Sequence, residues 1–181
     1  MPRLFVAVPL PEAVTQRLAA LAGGVPGARW SPAENMHVTL RFIGDVDGRE
    51  AADVAAILGE VDFTGFAMAV EGVDIFGGRR DARLLFAGVA PRDPLKRLRD
   101  KIEAALQRQG LAAEERKYHP HITLARLRGA PADRVGRFLE ANGLLMSPPF
   151  PVDAFVLYDS IRGNDGAVYR EVQRYALRPA A

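Results

Sequence analysis

The 181-residue chain repeats one short pattern twice, and this duplication constrains its fold more than any other feature of the sequence. The segment L-F-V-A-V begins at Leu4, and the similar segment L-F-A-G-V begins at Leu85, 81 positions later. Each segment leads through a predicted helix toward a His-x-Thr-Leu tetrapeptide, and the two tetrapeptides, at His37 and His121, are 84 positions apart. The similar offsets predict an internally duplicated chain whose halves are related by a pseudo-twofold axis.

Both halves of the chain alternate strand-like and helix-like segments. Strand composition marks residues 3–8, 66–73, 83–89, 152–158 and 169–177, whereas apolar residues at helical spacing mark residues 11–22, 50–58, 93–109 and 132–141. Glycine-containing turns at residues 77–78 and 163–166 favour hairpins between neighbouring strands. These patterns predict the α+β class, with mainly antiparallel sheets and helices on one face.

The composition excludes several kinds of site. The chain has no cysteine, so disulfides, thiolate zinc sites and cysteine nucleophiles are excluded. Its 24 basic and 22 acidic residues leave a formal charge of only +2, which does not indicate a protein that coats nucleic acid. No apolar stretch approaches the length of about 20 residues that spans a membrane. We therefore expect one compact cytoplasmic domain that does not bind membranes.

The alternation of polar and apolar residues in the two tetrapeptides is typical of strands with one polar face. In a strand, His37, Thr39 and Arg41 point to one side and the apolar residues between them to the other. His121 and Thr123 repeat this arrangement. Pseudo-twofold symmetry would bring the two polar faces together, with two imidazoles and two hydroxyls in one site.

This set of side chains suits the hydrolysis of a phosphodiester. One group must take a proton from water and another must protonate the departing oxygen, and histidine titrates near neutral pH and can do either. The hydroxyls of Thr39 and Thr123 can donate hydrogen bonds to the phosphate oxygens. Such a site requires no metal or other cofactor. A single His-x-Thr strand could equally carry a surface histidine, but the second copy of the motif favours a catalytic role for both histidines.

Two other kinds of site are compatible with the same residues. His119 and His121 share one strand face by simple alternation, and His37 could complete a three-histidine zinc site. That alternative leaves both threonines without a role, so we take His119 as a supporting or strand-entry residue. The chain could also be a non-catalytic module that keeps only the phosphate-binding groups, although an intact pair of histidines argues against it.

These residues resemble the 2H phosphoesterase superfamily, and within it the RNA 2′,3′-cyclic phosphodiesterases, also called the 2′-5′ RNA ligase family. The resemblance rests on R-L-F-V-A-V at the start, on E-N-M-H-V-T-L-R-F-I-G from Glu34 and on H-P-H-I-T-L-A-R from His119. It implies a bilobal fold of two antiparallel sheets flanked by helices, with a central cleft. It also implies that RNA ends or nucleotides with a 2′,3′-cyclic phosphate are opened to a 2′-phosphate, by a protein that we expect to be a monomer.

The resemblance also implies roles for individual residues. It makes His37 the proton donor, His121 the proton acceptor and Arg126 a substrate contact, although simple alternation would put Arg126 on the opposite face unless a strand end or bulge redirects it. From alternation we expect Arg41 on the catalytic face, where it would offset phosphate charge or be solvated at an edge. Phe5 either lines the cleft and stacks a base or packs in the core. The same site could also join RNA by 2′-5′ ligation.

Overall fold

The computed structural model describes residues 1–181 and contains nine strands, four helices and one short 3₁₀ turn. In chain order the elements are β1 (Arg3–Pro9), α1 (Glu12–Ala19), β2 (Ala28–Trp30), the 3₁₀ turn Ala33–Asn35, β3 (His37–Asp45), α2 (Gly48–Leu58), β4 (Phe66–Phe76), β5 (Leu84–Ala90), α3 (Asp93–Arg108), β6 (Ile122–Leu127), α4 (Ala132–Asn142), β7 (Phe150–Val152), β8 (Ala154–Gly163) and β9 (Gly166–Ala176). The predicted helices and the predicted α+β class are confirmed. The sequence patterns missed β2 and did not separate β7 from β8.

The strands form one antiparallel sheet whose order is β7-β4-β5-β6-β3-β1-β8-β9, with β2 added alongside β6. The expected two antiparallel sheets are the two halves of this sheet, and they join where β3 pairs with β6 at Val38 and Ile122. The strand order is symmetric about this junction, since β5 and β1, then β4 and β8, stand at equivalent distances from it. The duplication predicted from the sequence is therefore present in the topology.

The two lobes exchange strands. β4 follows the first half of the chain but pairs with β5 of the second lobe, and β8 follows the second half but pairs with β1 of the first lobe. Each lobe therefore contains strands from both ends of the chain.

The main core lies between the sheet and the helices. Val38, Leu40, Ile122 and Leu124, which alternate with the residues of the His-x-Thr motifs, are at most 2% exposed and belong to one apolar cluster with residues of the helices. Burial of a side chain of this size stabilises the fold by about 1.5–3 kcal/mol. Because these residues fix one face of β3 and β6 against the helices, the polar residues of both motifs must point to the other face, which we call the histidine face.

Helix ends follow signals in the sequence. α2 begins with a capping box, in which the Asp47 carboxylate accepts hydrogen bonds from two backbone N–H groups and the Glu50 carboxylate accepts one from the Asp47 backbone. α3 begins at Asp93 with a proline in its first turn. None of the helices combines the length and the apolar character needed to cross a membrane.

Candidate active site

The two His-x-Thr motifs lie side by side on the central strands. Val38 of β3 is paired with Ile122 of β6 in antiparallel register. Antiparallel geometry then directs His37 toward Thr123 and Thr39 toward the other histidine, on the face opposite the buried pair. Both imidazoles and both hydroxyl side chains are half-buried. The structure thus brings together the four residues that the sequence singled out.

Each motif is followed by a β-bulge at its leucine. In β3 the pairing with β1 passes from Thr39 directly to Arg41, so Leu40 is the extra residue. In β6 the pairing with β5 passes from Thr123 to Ala125, so Leu124 is the extra residue. A bulge places two consecutive residues on the same side of a strand and shifts the alternation of everything that follows. The two halves of the chain therefore share this irregularity as well as the motif.

The bulge makes the predicted position of Arg41 wrong. Arg41 is only 8% exposed and turns toward α3, on the side of the core. Its Nε donates to the Glu103 carboxylate at 2.5 Å, and its terminal nitrogens donate to the carbonyls of Ala112, at 2.6 Å, and Phe42. Desolvation acts to raise the pKa of Glu103, but hydrogen bonds from the Glu114 backbone N–H and from Arg41 hold it below its usual value. Arg41 is part of a buried ion pair and is not available to a ligand on the histidine face.

The equivalent bulge in β6 brings Arg126 to the histidine face. Arg126 is exposed, and its charge contributes to a lowered pKa of His121, behind desolvation and the neighbouring His119. The sequence allowed for a bulge that would turn Arg126 to this face, and the structure contains that bulge. Phe42 occupies the equivalent position of the first motif and lies 44% exposed on the same face, where its ring stacks on Phe5.

Both imidazoles are oriented by the same hydrogen bond. His37 Nδ1 lies 2.7 Å from the carbonyl oxygen of Asn35, and His121 Nδ1 lies 2.7 Å from that of His119. A carbonyl can only accept, so each Nδ1 carries a proton and each neutral ring keeps its lone pair on Nε2. His37 Nε2 accepts a hydrogen bond from the Thr39 hydroxyl at 3.0 Å. The reactive nitrogen of both rings is consequently Nε2.

Burial keeps both imidazoles neutral at physiological pH. The pKa of His37 is lowered from 6.5 to about 4: desolvation is the main cause, the hydrogen bond to the Asn35 carbonyl acts in the opposite direction, and the proximity of His121 adds a smaller lowering effect. Desolvation is also the main cause of the lowered pKa of His121. Ionisable groups whose proton affinity is shifted by burial in this way cluster at catalytic sites.

An aromatic shell surrounds each histidine. Phe5 lies on the histidine face, 5.0 Å from the ring of His37, but it is only 3% exposed because Tyr158, Tyr169 and Phe42 also pack against it. Phe5 therefore forms the floor of the site beneath the first motif. In this arrangement it has no open face on which a base could stack.

The second motif has an equivalent aromatic floor that the sequence interpretation missed. Phe86 lies 5.4 Å from the ring of His121, and Phe76 contacts both of them. Phe86 stands 81 positions after Phe5, so the repeated L-F segment at the start of each half was the signal that could have identified it. The duplication thus extends to the residue beneath each histidine.

The three-histidine metal alternative does not fit this geometry. The rings of His119 and His121 are 6.5 Å apart, and the His119 ring packs edge-on against Phe76 and Phe86. No group of three or more His, Cys, Asp or Glu side chains in the protein is arranged to hold a metal ion. His119 contributes its carbonyl to orient His121, which is the supporting role expected from its place before β6.

Tyr118 and Asn35 also support the site and were not predicted. The Tyr118 hydroxyl donates to the carbonyl of Thr39 at 2.9 Å, and burial raises its pKa. The Asn35 side-chain amide donates to the carbonyl of Ala167 at 2.8 Å, so the segment before β3 is tied to the β8–β9 hairpin. Both contacts hold the backbone of the first motif in place.

Known proteins are similar to this chain in sequence over most of its length. A family model described as LigT-like phosphoesterase matches residues 8–86 and 88–169. The RNA 2′,3′-cyclic phosphodiesterase of Aeropyrum pernix is 33% identical over 152 residues, which are 82% of this chain and 84% of that protein. The protein of the same name from Thermotoga maritima is 30% identical over 176 residues, covering 93% and 91%.

Solved structures of the same kind superpose on the whole chain. A Thermus thermophilus structure gives a TM-score of 0.79 at 26% identity and covers 99% of this chain and 100% of that one. Escherichia coli LigT complexed with 3′-AMP gives a TM-score of 0.74 at 26% identity, covering 97% and 98%. With its duplicated topology and its two His-x-Thr motifs on adjoining strands, the chain belongs to the LigT-like phosphoesterase family.

Proposed function

We propose that the protein is an RNA 2′,3′-cyclic phosphodiesterase that opens the cyclic phosphate to a 2′-phosphate by acid/base catalysis with His37 and His121. The observation that carries the proposal is the symmetric placement of the two imidazoles, each with Nδ1 bonded to a carbonyl two residues earlier and Nε2 left for chemistry. The relatives named RNA 2′,3′-cyclic phosphodiesterase supply the substrate class.

The proposed reaction assigns one proton transfer to each ring. His121 Nε2 takes a proton from water, the water oxygen attacks phosphorus, and the bond between phosphorus and the 3′ oxygen breaks. His37 Nε2 gives its proton to that 3′ oxygen, so the products are a 2′-phosphate and a free 3′ hydroxyl. No metal takes part in this scheme.

The charge of Arg126 near His121 favours this order of acid and base, whereas the burial of His37 opposes it, because it lowers the pKa of His37 to about 4 in the absence of substrate. The charge of Arg126 helps to lower the pKa of His121, which keeps that ring neutral and able to accept a proton. His37 lies among the rings of Phe5, Tyr158 and Tyr169, and the only cationic influence on its pKa comes from the other histidine. An anionic phosphate beside His37 offsets the desolvation that keeps it neutral, so substrate binding itself favours the protonated acid.

The threonines would bind the phosphate. The hydroxyl of Thr39 now donates to His37 Nε2 at 3.0 Å, so it must rotate toward the phosphate when that nitrogen carries the catalytic proton. Thr123 lies on the same face beside the other motif. Hydrogen-bond donors aimed at phosphate oxygens orient the substrate and stabilise the charge that develops during the reaction.

Hydrolysis of a nucleoside 2′,3′-cyclic phosphate in excess EDTA tests the proposal. We expect chelator-resistant turnover to the 2′-phosphate, identified by phosphorus NMR, and a loss of orders of magnitude in kcat for His37→Ala and for His121→Ala. His119→Ala is the matched control, and it should retain much more activity because the backbone carbonyl that orients His121 remains. Activity lost to EDTA would contradict the metal-independent scheme. No turnover, with binding retained in both variants, would indicate a module that binds RNA ends.

Reversal of the same chemistry, with an RNA hydroxyl as the nucleophile, would give 2′-5′ ligation in this site. That activity, a location in the cytoplasm and a monomeric state stay predictions from the sequence.

A further inference from the structure

Two arginines on neighbouring strands face the site beside the second motif. β2 pairs with β6 so that Arg29 stands directly opposite Arg126. The next residue of β2, Trp30, packs on Phe138 of α4, on the side of the core. Alternation along β2 therefore places Arg29 on the histidine face, the face on which the bulge at Leu124 places Arg126.

A contact with the β8–β9 hairpin supports this position. A terminal nitrogen of Arg29 lies 3.5 Å from the carbonyl oxygen of Asp165, at the turn of the hairpin. Farther along the same hairpin, Tyr169 packs its ring edge-on against His37 at 5.3 Å. Arg29 is thus directed toward the hairpin that borders the site.

The charges of the two arginines are not compensated within the protein. Neither Arg29 nor Arg126 takes part in an ion pair, whereas Arg41, Arg170 and Arg178 each bind a carboxylate. Like charges directly opposite each other on neighbouring strands disfavour the pairing of those strands. Two guanidinium groups in that position beside a phosphate site are suited to an additional anion, which they can bind with paired hydrogen bonds.

The distance along β6 between Thr123 and Arg126 indicates which anion the arginines would bind. Arg126 is the next residue after Thr123 to face the site, because the bulge at Leu124 adds one residue to the ordinary two-residue interval of alternation. Along a strand one such step is about 7 Å, and the arginine side chain extends beyond it. This spacing and the length of the arginine side chain match the distance of about one nucleotide between a phosphate held by the threonines and the next phosphate of an RNA chain.

Resting on the function proposed above, we infer that Arg29 and Arg126 bind the phosphodiester on the 5′ side of the terminal nucleotide. The substrate is then an oligonucleotide end rather than a free mononucleotide. Arg29 is the discriminating residue, because Arg126 also influences the proton affinity of His121 and its replacement would affect every substrate.

The test compares kcat/KM for three substrates: a dinucleotide with a 2′,3′-cyclic phosphate end, the same dinucleotide with a neutral methylphosphonate linkage, and a nucleoside 2′,3′-cyclic phosphate. We expect Arg29→Gln to lower kcat/KM for the dinucleotide by about 10- to 100-fold, the range for loss of charge-assisted hydrogen bonds. The same substitution should leave the nucleoside substrate unaffected. Arg97→Gln is the matched control, since Arg97 is an exposed arginine of α3 without an ion-pair partner.

The methylphosphonate substrate tests the contact without relying on the variant protein. The wild-type enzyme should lose at least as much activity on it as Arg29→Gln loses on the natural dinucleotide, because the neutral linkage removes the contact with Arg126 as well. The same change of substrate should cost the variant less than it costs the wild type, as expected when the two changes share one interaction. Equal losses for dinucleotide and nucleoside, or no loss for either, would overturn the inference while leaving the proposed function intact. A wild-type enzyme that hydrolyses none of the substrates overturns the proposed function, and this inference with it.

Discussion

The proton affinity of His37 makes the stability of the protein depend on pH in a way that can be calculated. Desolvation lowers the pKa of His37 from 6.5 to about 4 in the folded protein, whereas the unfolded chain titrates near the ordinary value. Between these two pH values the unfolded chain binds a proton at this position and the folded protein does not, so a falling pH favours unfolding. The stability that is present above pH 6.5 is lost as the pH falls to about 4. A pKa difference of this size corresponds to about 3 kcal/mol.

The substitution His37→Asn isolates this contribution. Asparagine does not titrate, and its side-chain N–H can replace the bond from Nδ1 to the Asn35 carbonyl, so the local structure is preserved. We would measure the free energy of unfolding of both proteins by urea denaturation between about pH 8 and pH 4. The difference between the two free energies of unfolding should be constant above about pH 7. By about pH 4 the wild type should have lost about 3 kcal/mol of stability relative to the variant.

A difference in unfolding free energy that stays the same at every pH would refute the reasoning. It would mean that the imidazole titrates near its ordinary value and that the site is more hydrated than its aromatic surroundings indicate. Titration of the His37 ring proton by NMR gives an independent value and separates this outcome from a general effect of acid on the fold.

Three further expectations concern residues that support the site. Glu103→Ala should lower the free energy of unfolding in urea by about 3–5 kcal/mol, because it leaves the buried charge of Arg41 unpaired. Glu103→Gln also removes the charge but keeps an acceptor for Arg41, so equal costs of the two variants would attribute the loss to the charge alone, and no loss for either would contradict the expectation. Asp47→Ala should cost about 1 kcal/mol by removing the cap of α2, and an unchanged melting temperature would contradict this. Tyr118→Phe should cost about 1 kcal/mol and also reduce kcat/KM on a cyclic phosphate, because it frees the Thr39 carbonyl; normal kinetics would show that the hydroxyl only stabilises the fold.

The repeated tetrapeptide was sufficient to predict the centre of the site. Alternation alone placed His37, Thr39, His121 and Thr123 on polar strand faces, and the two similar offsets implied that these faces meet. The prediction succeeded because each motif is short and precedes its bulge, so strict alternation still holds within it. The buried apolar residues between the polar ones then fix which face the motif presents.

The positions after the bulges could not be predicted in the same way. Alternation assumes that every residue of a strand is paired in turn, and the extra residue at Leu40 breaks that assumption just before Arg41. A bulge is a relation between two strands, so it is not visible in the sequence of one of them. The contacts of Tyr158 and Tyr169 with Phe5 were missed for a related reason, since these residues come from strands more than 150 positions away.

The shared bulges also show how a symmetric backbone can give its two histidines different surroundings. The first residue to return to the histidine face is Phe42 after one bulge and Arg126 after the other, 84 positions later. The ring of Phe42 extends the apolar floor on the side of His37, whereas the guanidinium of Arg126 adds positive charge beside His121. A nearby cation lowers the pKa of an imidazole, whereas a bound anion raises it. The difference between these equivalent positions therefore favours the proposed assignment of His121 as base and His37 as acid, provided that the bound phosphate offsets the desolvation that lowers the pKa of His37 to about 4.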